Sequence, residues 1–259
     1  SLGFKYTLAY RDVDGIDVTQ ASPAIIAQEG SSIKSSVGAT YTWDDLDNPT
    51  RPTLGFRGQL ESEIAGLGGD AYYGRLEAHS WYFFPLYEES IILKLEGNAG
   101  HIEAFNGRDV PLQDRFFKGA ESFRGFAQSG VGPRQIGNDG GTDAIGAQSY
   151  AIATAELTFP VGLPEQWGIE GAAFTDFGTV FGTPENSVGE TALGPCNNGD
   201  ADLLDTCSVF DTMAFRASVG AGIIWQSPFG PLRFEVAYPL LKAKYDETEW
   251  FRFSIGTRF

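Results

Sequence analysis

Residues 151–159 read Ala-Ile-Ala-Thr-Ala-Glu-Leu-Thr-Phe, and this stretch decides the fold. Apolar residues stand at every odd position, whereas the polar residues Thr154, Glu156 and Thr158 all stand at even positions. Because successive side chains of a β-strand point to opposite faces, this alternation predicts a strand with one apolar and one polar face.

The same alternation recurs from one end of the chain to the other. The other windows lie at 4–11, 33–43, 56–64, 72–84, 91–99, 167–181, 213–226, 230–240 and 249–259. Together they predict about ten strands of roughly 9–14 residues, close to the length that a tilted strand needs to cross a bilayer. We find no window with an apolar stripe at helical spacing. The sequence therefore predicts an all-β chain forming a single domain, residues 1–259.

Composition narrows the class of protein. The 259 residues carry 18 Lys and Arg against 34 Asp and Glu, which gives a net charge of −16. A nucleic-acid partner needs a basic face, so this balance argues against one. An aromatic content of 14% is too high for a disordered acidic chain. No apolar run approaches the roughly 18 residues of a transmembrane helix.

Two architectures accommodate such strands. A soluble sandwich buries its apolar face, whereas an outer-membrane barrel turns that face to lipid and its polar face to the lumen. Aromatic residues near the predicted strand ends resemble the girdle at a membrane interface. They are Tyr41, Trp43, Tyr82, Phe83, Phe84, Trp225, Trp250 and Phe251.

The connections also favour the barrel over the sandwich. Tight turns are predicted near 85–89, 160–166, 227–230 and 241–249, and long polar loops at 12–32, 105–148 and 182–212. Short turns on one side and long loops on the other are typical of bacterial outer-membrane proteins. We therefore predict an antiparallel transmembrane β-barrel.

One long loop is unlike a solvated loop. Residues 117–126 read Phe-Lys-Gly-Ala-Glu-Ser-Phe-Arg-Gly-Phe, with three Phe residues and one Arg. A loop with this apolar content is expected to fold back and pack, so loop 105–148 is predicted to enter the lumen. Arg124 would then need a buried acidic partner, because an unpaired charge away from water is costly. Glu156 and Asp176 are the candidates on lumen-facing positions.

These residues carry a resemblance to a known family. Ser122-Phe-Arg-Gly-Phe126 resembles the (V/F)RGF motif of the BamA family of outer-membrane-protein assembly factors. Phe174-Thr-Asp-Phe-Gly178 resembles that family's aromatic-x-Asp-x-Gly strand motif. Residues 218–233 look like its penultimate hairpin and residues 251–259 like its last strand. The four motifs occur in the family's order.

The resemblance implies roles for individual residues. Arg124 would pin the loop inside the lumen against Asp176 and Glu156, with Phe174 packed on the contact. The implied loop-docking motif is Gly119, Ser122, Phe123, Arg124, Gly125 and Phe126. The implied lumen-wall partners are Glu156, Phe174, Asp176 and Gly178. The implied C-terminal strand signal is Phe251, Phe253, Ile255 and Phe259.

The resemblance also implies a function without a chemical step or a cofactor. It implies an insertase, integral to a Gram-negative outer membrane, that folds and inserts β-barrel proteins. Its partners would be the lipid bilayer, unfolded outer-membrane proteins and, through N-terminal POTRA domains, accessory assembly lipoproteins. The ten strands correspond to the C-terminal strands of a barrel of about sixteen, so we expect a C-terminal piece; a natural small barrel is the other possibility.

Two other functions stay open at this stage. A protein translocator of the same superfamily, of the two-partner secretion or translocation-and-assembly type, would share the loop motif. A small passive channel with an acidic lumen would prefer cations.

Cys196 and Cys207 flank an acidic loop, and their spacing suits a loop-closing disulfide worth ~2–3 kcal/mol. Redox sensing by this pair is the less favoured alternative. We find no metal site: the acidic loop lacks the full calcium spacing, and neither His79 nor His101 has a ligand-spaced partner.

Overall fold

A computed structural model describes residues 1–87, 90–183, 209–227 and 230–256. Ten strands of 5–17 residues form its main sheet. They are β1 (Leu2–Val13), β2 (Gly30–Leu46), β3 (Gly55–Ala65), β4 (Tyr73–Tyr87), β5 (Ile91–Ala104), β8 (Ser149–Pro160), β9 (Ile169–Phe181), β11 (Arg216–Ser227), β12 (Gly230–Leu241) and β13 (Phe251–Ile255). The predicted all-β fold with about ten strands is thereby confirmed, although the described part of β13 is shorter than the 9–14 residues expected.

Three short strands form a second, separate sheet. They are β6 (Arg134–Ile136), β7 (Thr142–Ala144) and β10 (Val209–Phe210), in the order β10-β6-β7. In the part of the chain that the structure describes, the helical elements are α1 (Pro23–Ile26) and two 3-10 turns, Leu112–Asp114 and Glu165–Trp167. Within the described ranges, no helix is long and apolar enough to cross a membrane.

The main sheet is an antiparallel meander in which each long strand pairs with the next long strand along the chain. The registers place Glu156 opposite Phe174 and Asp176 opposite Ser218. At the two edges, β1 pairs with β2 and β13 pairs with β12. No ladder joins β1 to β13 among the residues described, so the sheet is curved but open.

The two faces of the sheet differ as the alternation predicted. On the outer face, Leu60 and Ile223 are 45% and 49% exposed. On the inner face, Glu156, Asp176 and Glu235 are almost fully buried. An apolar outer face around a polar interior is the arrangement of a barrel wall in lipid, because the bilayer replaces water around the outer side chains.

Phe83 is the exception in the predicted aromatic girdle. Seven of the eight aromatic residues lie on or near the outer face or beside the strand ends, but Phe83 is 5% exposed and belongs to the inner face with Trp81. The prediction for Phe83 was wrong because it follows Tyr82 directly, and adjacent residues of a strand point to opposite faces.

One predicted tight turn belongs to the other end of the sheet. The pairs β2–β3, β4–β5, β8–β9 and β11–β12 are connected at one end of the sheet, and the pairs β1–β2, β3–β4, β5–β8, β9–β11 and β12–β13 at the other. Grouping 241–249 with the turn at 227–230 was wrong. Consecutive hairpins of a meander must lie at opposite ends, and the 242–250 connection pairs with loop 105–148.

The assignment of faces predicts a large loss of stability at one position and a small loss at its neighbour. Replacing Leu60, near the middle of the outer face of β3, with Arg should lower the free energy of unfolding by about 2–4 kcal/mol in lipid. Replacing Gln59, which faces the lumen and bonds to Glu61, with Arg should cost under about 1 kcal/mol. Denaturant titration of vesicle-embedded protein, followed by tryptophan fluorescence, measures both. Equal losses would contradict the assignment.

Candidate functional site

The interior of the sheet is filled by loop 105–148. Phe116, Phe123, Phe126 and Val131 of the loop are at most 4% exposed. They pack against wall residues Tyr73, Ile102, Tyr150, Ile152 and Val180. The rings of Phe123 and Phe126 lie edge to face with centroids 4.9 Å apart, and those of Phe116 and Tyr150 with centroids 4.8 Å apart. The loop is therefore placed inside the lumen, as its apolar content predicted.

A tight turn presents the motif to the wall. Gly119 has φ +135°, and a Cβ there would lie 2.1 Å from the Ala127 carbonyl oxygen, so no larger residue fits. The Ser122 hydroxyl donates to the Gly119 carbonyl at 2.9 Å and accepts from the Gly119 N–H at 3.1 Å. Gly125, at φ +89°, lies against Ser218 of β11. These contacts hold Arg124 between two buried phenylalanines.

Arg124 is the centre of the site. Its side chain is 4% exposed, and its Nε and Nη2 donate to the two oxygens of Asp176 at 2.9 and 2.7 Å. Its backbone N–H donates to the same carboxylate at 3.0 Å. Its Nη1 donates to Glu156 at 2.5 Å. The structure thus brings together the three charged residues that the sequence analysis paired.

Further charged residues complete the cluster, and the sequence analysis did not identify them. Nη1 of Arg124 also donates to Glu235 of β12 at 3.3 Å. Arg233 donates to Glu156 at 3.1 Å, and Lys94 lies 3.7 Å from the same carboxylate. The sequence did indicate that Arg233 and Glu235 face the lumen, because they alternate with the apolar residues Phe234 and Val236 along β12. We call Arg124, Glu156, Asp176, Arg233, Glu235 and Lys94 the Arg124 cluster.

Two wall residues shape this cluster. The guanidinium carbon of Arg124 lies 3.5 Å from the ring centroid of Phe174, a cation–π contact in a desolvated place. Gly178 allows β9 and β8 to approach closely, because a Cβ there would lie 2.4 Å from the Ala151 carbonyl oxygen. Phe174 and Gly178 therefore support the contact from the wall side, where the resemblance had placed them.

The surroundings of Arg124 favour its charged form. Burial by itself would lower the pKa of Arg124, but the hydrogen bonds and charge of Asp176, with the charges of Glu156 and Glu235, raise it above its ordinary value. Bidentate pairing is the strongest geometry for this contact. The arrangement can hold a loop in place and offers no reacting group.

The loop has a second buried ionic anchor that the sequence analysis also missed. Asp114, 3% exposed, accepts from Arg11 of β1 at 2.7 and 2.8 Å and from Lys34 of β2 at 3.0 Å. The 3-10 turn Leu112–Asp114 aims the carboxylate at these strands. Arg75 of β4 donates to the Asp114 carbonyl at 3.3 Å. No residue near Asp114 in sequence indicated partners on β1 and β2.

Acid sensitivity is expected at this second anchor. Burial by itself would raise the pKa of Asp114, but the hydrogen bonds and charges of Arg11 and Lys34 lower it below 3.8. The other titratable groups that face it are Tyr73, Glu63 and Arg75.

The remaining predicted residues lie apart from the lumen. Phe251, Phe253 and Ile255 share the outer face of β13, at 44%, 47% and 67% exposure, and the rings of Phe253 and Phe234 are 5.0 Å apart. Their role as a strand signal stays a prediction. Phe259, Cys196 and Cys207 lie outside the described residues, so the predicted disulfide does too.

Arg124 should be decisive for loop docking. Arg124→Ala removes the bidentate partner of Asp176 and one cationic partner of Glu156 and of Glu235. We therefore expect a loss of about 3–5 kcal/mol in the free energy of unfolding and rapid cleavage of loop 105–148 by proteinase K. The control is Arg108→Ala, which removes an exposed Arg of the same loop. Unchanged cleavage of the Arg124 variant would contradict the anchor.

The Asp114 anchor should respond to acid with a defined sign. Because the folded pKa lies below 3.8, the anchor contributes fully above about pH 5 and is lost as the pH falls below 3.8. Amide hydrogen exchange over residues 110–118 should accelerate in that window, beyond its intrinsic pH dependence. Asp114→Asn should remove this extra acceleration, and its persistence in that variant would assign it to another group.

Comparisons with known proteins agree with this geometry. The Omp85 superfamily domain matches residues 1–259. The outer membrane protein assembly factor BamA of Neorickettsia risticii is 32% identical over 96% of this chain and 30% of its own length. BamA of Neisseria meningitidis serogroup B is 30% identical over 89% of this chain and 29% of its own. A SAM50-like protein of Schizosaccharomyces pombe is 29% identical over 85% of this chain and 43% of its own.

A solved structure shares the fold. The crystal structure of BamA from Haemophilus ducreyi lacking POTRA domains 1–3 matches with a TM-score of 0.76 and 23% identity, over 97% of this chain and 49% of that one. The chain spans less than half the length of these relatives. The predicted resemblance and the integral location in a Gram-negative outer membrane are confirmed. The sheet of this chain is a transmembrane barrel wall with an internal loop, and the chain belongs to the Omp85 superfamily.

Proposed function

We propose that the chain is the C-terminal barrel region of an outer-membrane protein assembly factor, which folds and inserts other β-barrel proteins into the outer membrane. The observation that carries this proposal is the lumen loop, held by the buried Arg124 cluster. It occurs in a chain that is similar over 96% of its length to a protein named outer membrane protein assembly factor BamA. The substrates would be unfolded outer-membrane proteins.

The proposed mechanism involves no covalent chemistry. An unfolded strand in a membrane needs partners for its backbone N–H and C=O groups, and a sheet edge supplies them by strand addition. Within the described residues, β13 pairs on one side only, so its other edge can act as such a template. The pinned loop would keep the wall in shape while a substrate strand forms. The protein would therefore not act as an enzyme.

The proposal also covers the partners of the protein. The lipid bilayer is the medium of the apolar outer face. The resemblance to the BamA family implies that accessory assembly lipoproteins would bind through N-terminal POTRA domains.

The translocator hypothesis shares the loop and differs in the passenger. It would be supported if the protein exported a soluble passenger in a reconstituted system. The passive channel has a specific obstacle, because loop 105–148 packs inside the lumen. There it lines a cavity of about 340 Å³ with Lys118, Glu121, Ser122 and Arg124. A second cavity, of about 290 Å³, is lined by Glu61, Glu63 and Glu77 together with Lys5, Lys34 and Arg75. Steady conductance with strong cation selectivity would favour that alternative.

Assembly activity should depend on the anchored loop. In vesicles containing the complete protein, Arg124→Ala should slow the folding of a substrate barrel at least about tenfold, because losing a buried ion pair releases the loop. Arg108→Ala is the matched control and should keep the wild-type rate. Heat-dependent gel migration of the substrate measures folding. Equal rates for wild type, both variants and empty vesicles would refute the proposed function.

A further inference from the structure

The connection between β2 and β3, residues 47–54, folds inward across the concave side of the sheet. Its Pro52 side chain is buried, and the Arg51 guanidinium forms an ion pair with Glu170, the second residue of β9. Three strands, β4, β5 and β8, separate β3 from β9 in the sheet. Since neighbouring strands lie about 4.8 Å apart, this contact spans roughly 19 Å of wall. The turn therefore crosses part of the lumen.

The turn is held in shape by its own side chains. The Asp47 carboxylate accepts from the N–H and the hydroxyl of Thr53 at 3.0 and 2.6 Å. The Asn48 side-chain oxygen accepts from the N–H of Arg51 at 3.1 Å. Local bonds of this kind fix the backbone of a turn without help from neighbouring strands. Arg51 is thus presented to β9 by a preformed turn.

The turn covers the periplasmic side of the Arg124 cluster. A cavity of about 100 Å³, room for a few water molecules, lies between the two. The turn and the cluster each contribute three residues to its lining, namely Thr50, Arg51 and Pro52 from the turn and Lys94, Glu156 and Arg233 from the cluster. Because the short connections of an outer-membrane barrel face the periplasm, the turn lies between the periplasm and the buried ion pairs.

An unfolded chain carries backbone N–H and C=O groups without partners, and these would compete for the buried carboxylates of the cluster. We propose that turn 47–54 is a lid, held closed by Arg51 and Glu170, that keeps an unfolded substrate chain arriving from the periplasm away from the Arg124 cluster. The side chains of this pair are 61% and 24% exposed. Exposed ion pairs are weak, so the lid can open without loss of the wall. The exclusion of substrate rests on the proposed function; the lid itself does not.

The accessibility of a thiol behind the turn tests the lid. Thr158 of β8 is half-buried and lines the cavity. Thr158→Cys, in a Cys196→Ser, Cys207→Ser background, places a single thiol there in the complete protein in lipid nanodiscs. The rate of its modification by a charged, membrane-impermeant maleimide measures opening of the lid. Arg51→Ala should raise this rate about three- to fivefold, because the loss of one exposed ion pair shifts the equilibrium only modestly.

Controls separate opening of the lid from a general change in access. Gln166→Cys places the thiol in the exposed β8–β9 turn at the same end of the sheet, and its rate should not respond to Arg51→Ala. Arg51→Glu should open the lid, and Arg51→Glu combined with Glu170→Arg should return the Thr158→Cys rate to within about twofold of its starting value. An unchanged Thr158→Cys rate in Arg51→Ala, an equal rise for Gln166→Cys, or no recovery in the exchanged pair would overturn the lid.

A second variant opens the lid more fully. Pro52→Asp puts a charge where a buried ring stands, so the turn should leave the lumen and the Thr158→Cys rate should rise at least about tenfold. A smaller rise than in Arg51→Ala would overturn the lid, because the turn would then not be what covers Thr158.

Substrate contact distinguishes the two proposals. During folding, an unfolded substrate barrel with one Cys should form a disulfide with Thr158→Cys only when Arg51→Ala is also present. Equal disulfide formation with and without Arg51→Ala would overturn the exclusion of substrate. A complete wild-type protein that folds no substrate would refute the proposed function, while the maleimide rate still decides the lid.

Discussion

A guanidinium group that has left water must be surrounded by carboxylates, and the rest of this structure depends on that requirement at Arg124. Its side chain is 4% exposed, and an Arg does not give up its proton at any pH at which the protein folds. Asp176 of β9, Glu156 of β8 and Glu235 of β12 must therefore point to one place. That convergence orients the inner faces of these strands. It also holds the loop to the wall at the turn that presents Arg124.

The fold reverses the usual relation between core and surface. Lipid covers the apolar outer face, so burial of that face does not favour one arrangement of the interior over another. Order inside comes from the loop, whose phenylalanines form a small apolar core with wall residues such as Tyr73 and Ile102. Ion pairs lie on two sides of this core, at Asp114 and at Arg124. Removing either anchor leaves buried charge unpaired, which is costlier than losing an apolar contact of similar size.

Much of the fold and part of the site could be predicted without coordinates. Strict alternation predicts strands and assigns their faces, because the period of two is a local property of the backbone. The pairing of Arg124 with Asp176 and Glu156 was predicted because buried charges need opposite charges on the lumen face. The prediction that Phe83 belongs to the outer girdle was wrong because several aromatic residues follow one another in β4. An unbroken apolar run does not show which residues face outward.

What the sequence determined by itself is therefore local: the strands, their two faces and the need of one loop for a buried acidic partner. Only the tertiary structure decided which distant residues meet. Asp114 lies 103 residues from Arg11, and Arg124 lies 111 residues from Glu235. The 242–250 connection was misplaced because a short loop can lie at either end of a sheet until the order of hairpins is known. Such contacts depend on the curvature of the wall and the path of the loop, which residue spacing does not encode.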